Sequence, residues 1–378
     1  MPTKNVYNWQ LKRDMKYVYE GVRPEKQFAA IFDTNKCIAC QTCTMACKQT
    51  WTTGKGQEYM FWNNVETKPY GFYPLAWDVK ILNLLGFQKW EGDKYAGKTI
   101  FEGAPKGNVT EGYMPEELDY SYPNAGEDEP YGGMVEQGDY ITIPHKLWHF
   151  YLPRICNHCT YPACLAACPR KAIYKRKEDG IVLIDQSRCR GYRECVRACP
   201  YKKTFFNRIT KVSEKCIACY PVIEGGEQNQ CIKGCIGRIR LAGWLHTPDK
   251  ADPNNPLDYL VHIRKLALPM YPQFGLEPNI YYIPPIHVKS QYLKQIFGPG
   301  VEDAIKEYRT ASTNKTLLGA LTIFGSTEKW VTRFEVAEDK VIAYGTEDKE
   351  IITVPLKEPV IIRPAFDKTL NVYRQNIT

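Results

Sequence analysis

The sequence predicts an α+β protein made of two small dicluster units, split by a long loop-rich insertion and followed by a C-terminal extension. Three observations predict it. Fifteen cysteines fall into four compact sets, and none lies outside them. The apolar segments near those sets are short, of strand or single-helix length. Hydrophobic residues make up 44% and charged residues 24% of 378, which is ordinary for a folded chain and excludes a largely disordered one. That length has room for two domains or one large elaborated one. The most apolar stretch, Leu317 to Phe324, has the length of a core helix or strand, far short of the ~18 residues of a transmembrane helix. Met1 to Glu20 has no apolar core and no twin arginine, so no export signal is predicted.

The first set is Cys37-x2-Cys40-x2-Cys43-x3-Cys47, and the second is Cys156-x2-Cys159-x4-Cys164-x3-Cys168 followed by Pro169. The third is Cys189, then Cys195-x3-Cys199 followed by Pro200. The fourth is Cys216-x2-Cys219, then Cys231-x3-Cys235. An odd count in a long chain disfavours a disulfide framework. Zinc ribbons use pairs of CxxC, whereas three close cysteines plus one beyond, with proline after the last, is the bacterial-ferredoxin-like pattern. In that pattern the close cysteines wrap one cluster, and the last opens a helix and ligates another.

The second and third sets are close, since Cys168 and Cys189 are 21 positions apart. They make one compact unit and leave the first and fourth sets to make the other. The expected ligand sets are Cys37, Cys40, Cys43 and Cys235; Cys47, Cys216, Cys219 and Cys231; Cys156, Cys159, Cys164 and Cys199; and Cys168, Cys189 and Cys195. Pairing the sets in chain order is the alternative. The ligand missing between Cys189 and Cys195 would stand at 192, which is Tyr192. Three 4Fe-4S clusters and one 3Fe-4S cluster then use every thiolate. A bulky tyrosine, a poor iron ligand at neutral pH, is expected to block the fourth iron. A water or hydroxide holding that iron is the alternative.

Organisation follows from the sets. Residues 1–30 read as an N-terminal arm without a steady period. Residues 31–53 plus 205–243 form the first ferredoxin-like unit, and 150–204 the second, with a short strand from Gly180 to Asp185. Residues 54–149 are an insertion rich in Gly, Tyr, Pro and Trp, expected to be loop with short strands and to dock a partner; it carries an acidic patch at Glu127, Asp128 and Glu129. In the extension, 244–378, Glu302 to Arg309 reads as a helix, and segments starting at Arg333, Val341 and Ile351 read as strands.

The formal net charge is +8. Each oxidised cluster with its thiolates carries about −2, so four bring the chain near neutrality. Arg154, Arg170, Lys171, Lys175, Arg176 and Lys177 flank the second set; Arg188, Arg190, Arg193, Arg197, Lys202 and Lys203 surround the third. Cations near a cluster raise its potential. A solvated basic face or a nucleic-acid surface would use the same residues, but cluster neutralisation accounts for them without a second function, and no nucleic-acid partner is expected. No GxGxxG after a strand, P-loop, GxSxG or HExxH occurs. His145 and His149, with Pro144 before them and no third ligand nearby, read as core or surface histidines. His158, between Cys156 and Cys159, is a candidate to tune a cluster by a hydrogen bond to sulfur, with simple loop packing as the alternative. No catalytic residues are expected: four clusters without a substrate site describe a wire.

The order of the sets, with an aromatic at 192, resembles the beta subunits of the nitrate reductase-like molybdenum enzymes, and within them the nitrite oxidoreductase branch. The runs Gln57 to Gly71, Arg154 to Pro162, Ala167 to Lys175, Cys189 to Tyr192, Glu214 to Pro221, Tyr282 to Pro285 and Phe297 to Val301 carry the resemblance over nearly the whole chain. It implies a catalytic alpha subunit with a molybdenum bis-pterin cofactor, and often a gamma subunit with haem b. The cluster of Cys37 would face alpha, and the three-iron cluster would face the haem. Some relatives are expected to carry Asp where this chain has Cys47. Beta subunits of this kind can be exported with alpha, which implies an extracytoplasmic place, peripheral to a membrane through partners; a cytoplasmic one is the alternative. Related enzymes acting on perchlorate, selenate, dimethyl sulfide or ethylbenzene, and a free polyferredoxin, are the competing readings.

Overall fold

In a computed structural model of the chain, residues 5–19, 23–69, 77–113, 148–356 and 365–374 are described. The acidic patch at 127–129 and His145 lie outside them. A four-stranded sheet organises the molecule, in the order Arg240–Leu245, Gln27–Asp33, Ile280–Ile283, Leu268–Pro269. Gln27–Asp33 runs antiparallel to Arg240–Leu245, with Phe32 opposite Arg240, and parallel to Ile280–Ile283. All seven of its residues are buried. Phe28, Ala30 and Phe32 face the cysteine loops, while Ala29 and Ile31 pack with Leu257, Leu260, Leu317 and Ala320. A strand buried on both faces reads as a continuous apolar run rather than an alternation. The sheet therefore brings residues 27–33, 240–245, 268–269 and 280–283 together between two apolar clusters, one on each face.

The cysteine loops hang from short antiparallel ladders. Ile173–Lys175 pairs with Val182–Ile184, and Thr204–Phe206 with Ser213–Lys215. Val182–Ile184 falls within the strand expected from Gly180 to Asp185. Asn64–Lys68 pairs with Phe150–Arg154, tying the start of the insertion to the segment that follows it. The insertion is less loop-like than expected: Trp77–Leu85 is a helix burying Trp77, Ile81, Leu82 and Leu85. Leu317 and its neighbours resolve as a helix, Lys315–Thr322, capped by the Asn314 side chain accepting from the Leu317 amide. The expected helix is Val301–Arg309, and the three expected strands are Arg333–Ala337, Lys340–Tyr344 and Glu350–Pro355, in one antiparallel sheet. Among the described residues no helix is long and apolar enough to cross a membrane.

Candidate metal centres

No disulfide joins any of the fifteen cysteines. The structure gathers them at four places, A to D. At A, Cys37, Cys40, Cys43 and Cys235 line one cavity with Val65, Ile239 and Arg240. At C, Cys156, Cys159, Cys164 and Cys199 line another with Val182, Tyr201 and Leu276. At B, Cys47 has Cys216, Cys231 and Cys219 as its neighbours. At D, Cys195 has Cys168 and Cys189, with Cys199 of C beyond.

Four short helices connect these places in pairs. Thr42–Trp51 carries Cys43 and Cys47, and Gln230–Lys233 carries Cys231 with Cys235 just past its end. Ala163–Ala166 carries Cys164 with Cys168 beyond, and Glu194–Ala198 carries Cys195 with Cys199 at its C-cap. In each pair the cysteines are four residues apart; Cys43 and Cys47, both inside their helix, stand on one face about 5.4 Å apart along the axis. The first two helices thus span A and B, and the other two span C and D. Gly234 permits the first pair's approach, since a Cβ there would stand 2.8 Å from the Ala46 methyl. B and C meet through Cys216 and Cys156: burial, then Cys156, pushes the Cys216 thiol up to about 12.

The loops aim their amides inward. Ala39, Gln41, His158, Arg193, Ala218 and Cys219 all adopt left-handed backbone, with φ between 41 and 63°. Such residues turn consecutive N–H groups toward one point, which favours an anion. The Ala218 amide donates to Cys216 Sγ at 3.4 Å, the Ala172 amide to Cys168 Sγ at 3.3 Å and the Ser213 amide to Cys189 Sγ at 3.4 Å. Burial pushes the Cys195 and Cys231 thiols up to about 12 and the Cys219 thiol to about 11. A bound metal must displace their protons. Soft sulfur donors, apolar walls and inward amides fit iron–sulfur clusters. Among the described residues no three Cys, His, Asp or Glu groups converge as a single ion requires.

Several residues act here that spacing alone did not reveal. Trp51, one turn beyond Cys47 on the same helix, donates its indole N–H to Cys219 Sγ at 3.1 Å. Arg240 donates to Cys43 Sγ at 2.9 Å. The position of Trp51 four residues after a ligand was a usable signal; Arg240 had none.

His158 is fully buried. Its Nδ1 accepts the Val182 amide at 3.1 Å, which places the ring proton on Nε2. Burial, helped by Lys215 and Lys175, keeps the ring neutral. Nε2 has no acceptor among the described residues. Tyr192 is 59% exposed in the turn between Cys189 and Cys195. His149 is exposed and takes His287 Nε2 on its carbonyl.

The flanking cations divide. Arg154 is buried and paired with Glu66 at 2.5 Å, inside a network in which Lys68 meets Asp78 at 2.6 Å. Arg176 pairs with Glu224 at 2.7 Å. Lys175 directs its ammonium to the Cys159 carbonyl at 3.2 Å, and burial pulls it down to about 7.

Thiol-lined cavities linked by helical turns define the class: an iron–sulfur protein built to pass electrons. Residues 147–244 match the family model described as a 4Fe-4S dicluster domain. The chain is 44% identical to the selenate reductase subunit beta of Thauera selenatis, covering 74% of this chain and 89% of that one. It is 43% identical to the chlorate reductase subunit beta of Ideonella dechloratans over the same shares. It is 41% identical to the respiratory nitrate reductase subunit beta of Haloferax mediterranei, covering 83% and 95%. The chain belongs to this family of oxidoreductase beta subunits, as a non-catalytic iron–sulfur electron-transfer subunit.

Proposed function

We propose that this chain is the electron-transfer subunit of a nitrite oxidoreductase or nitrate reductase complex, with clusters at A, B, C and D in that order. Cys37, Cys40, Cys43 and Cys235 hold a 4Fe-4S cluster, as do Cys47, Cys216, Cys219 and Cys231, and Cys156, Cys159, Cys164 and Cys199. Cys168, Cys189 and Cys195 hold a 3Fe-4S cluster, because position 192 offers tyrosine instead of a thiol. His158 tunes C through its buried Nε2–H, the donor a cluster sulfur accepts from.

The observation that carries this reading is the grouping of every thiol in a row of four neighbours, with nothing over. Electrons pass along the row between a molybdenum bis-pterin alpha subunit and a haem b gamma subunit or another acceptor. At the A end, Ile38, Met45 and Ile236 are exposed at 66, 47 and 68% around the partly open Cys40, an apolar rim that supports contact with alpha there. The complex sits against a membrane only through its partners, on the extracytoplasmic side.

A second reading keeps the wire and changes the substrate, since the relatives named above include subunits of selenate and chlorate reductases. Purification of the native complex tests both. The expected result is a larger co-purifying chain containing molybdenum, with nitrite-oxidising or nitrate-reducing activity. Activity confined to selenate or chlorate selects the second reading, and a chain that runs alone with iron and no molybdenum overturns both.

A further inference from the structure

Arg240 is 1% exposed in the central sheet, and among the described residues no carboxylate pairs with it. Its two terminal nitrogens are fixed, Nη2 on Cys43 Sγ at 2.9 Å and Nη1 on the neutral Asn63 Oδ1 at 3.0 Å. The guanidinium lies over the Phe32 ring, 4.5 Å from its centroid. The sulfurs it faces are those of Cys43 and Cys231, then Cys235 and Cys37. Those thiols belong to A and B. Arg154, equally buried, answers its charge with Glu66. A buried guanidinium without an anion is strongly unfavourable. The missing anion is therefore supplied by what the thiols hold.

We propose that Arg240 is the fixed counter-ion shared by sites A and B and sets the reduction potential at A. This rests on the ligand sets given above. One electron entering a four-iron, four-thiolate cluster takes its charge from about −2 to about −3, with no bond made or broken. A cation held at fixed distance in a water-free site favours the more negative state, so Arg240 raises the potential. The same guanidinium reaches both sites, donating to Cys43 of A and bonding Cys231 of B.

The test is a dye-mediated potentiometric titration of the intact complex, followed by electron paramagnetic resonance, with the A signal assigned by its change in Cys235→Ser. Arg240→Gln removes the charge and keeps a donor; Arg240→Lys keeps the charge. With full iron in both, the Gln variant is expected to lose at least tenfold in the reduction equilibrium at A, about 59 mV for one electron. The B signal falls in the same direction, and the Lys variant moves less than half as far as Gln. Unshifted potentials in both variants, or equal shifts in both, overturn the proposal. If the Gln variant loses its iron, a Lys variant that keeps iron and a near-native potential upholds it, and one that loses iron or falls tenfold overturns it. A wild-type complex with no reducible cluster at A overturns the ligand reading, and this proposal with it.

Discussion

Trp51 is a single donor whose effect can be isolated. Its N–H meets Cys219 Sγ from the helix that also carries Cys47. Hydrogen bonds to ligand sulfur raise a cluster's potential. Trp51→Phe keeps the ring and removes the donor, so B is expected to fall in potential while iron content stays unchanged; an unmoved potential would show that the contact is packing only. Tyr192→Cys is expected to supply the missing thiolate and raise chain iron by about one atom, converting the three-iron cluster. The buried network is a second residue-scale device. Burial pushes the Asp78 carboxyl up, but Lys68 and the Tyr271 hydroxyl outweigh it and hold it below its ordinary value. A depressed carboxyl stabilises the fold above its unfolded pKa, near 3.9, and the contribution is lost as pH falls through the lower folded value. Asp78→Asn is expected to lower stability at pH 7 by about 1–3 kcal/mol and to flatten the acid limb of an unfolding profile. An unchanged acid limb would remove Asp78 from the account.

The four helical turns are the elements on which the spacing of the clusters depends. Gly234→Val places a side chain where even a Cβ is 2.8 Å from Ala46. Helices Thr42–Trp51 and Gln230–Lys233 must then part, at about 1–3 kcal/mol. Iron is expected to be lost from A and B and retained at C and D, which spectroscopy of the two halves can read. Elements with strong local signals were legible beforehand: the extension hairpins alternate, and Val301–Arg309 has helical periodicity. Gln27–Asp33 was not, because burial on both faces erases alternation and its start merged with the arm. Trp77–Leu85 was missed because the Gly, Pro and Tyr content of the insertion hid one amphipathic turn sequence. Cysteine spacing is local and survives without the fold, so the four sets could be read directly.

On the scale of the whole molecule, what sequence could not supply was charge placement. Arg240 is 197 positions from Cys43, and Arg154, expected beside a cluster, is instead neutralised by Glu66 on the neighbouring strand. Long-range pairing decides which cations face metal, and no spacing rule encodes it. The net charge of +8 is consistent with four anionic clusters inside. We propose that this one chain holds three four-iron clusters and one three-iron cluster in a row. Metal analysis of the intact complex, with iron assigned per copy of this chain after subtracting the partners' share, tests it most directly. About 15 iron atoms and no zinc are expected. About 16 would contradict the role of Tyr192, and about 8 or fewer, or stoichiometric zinc, would contradict the wire itself.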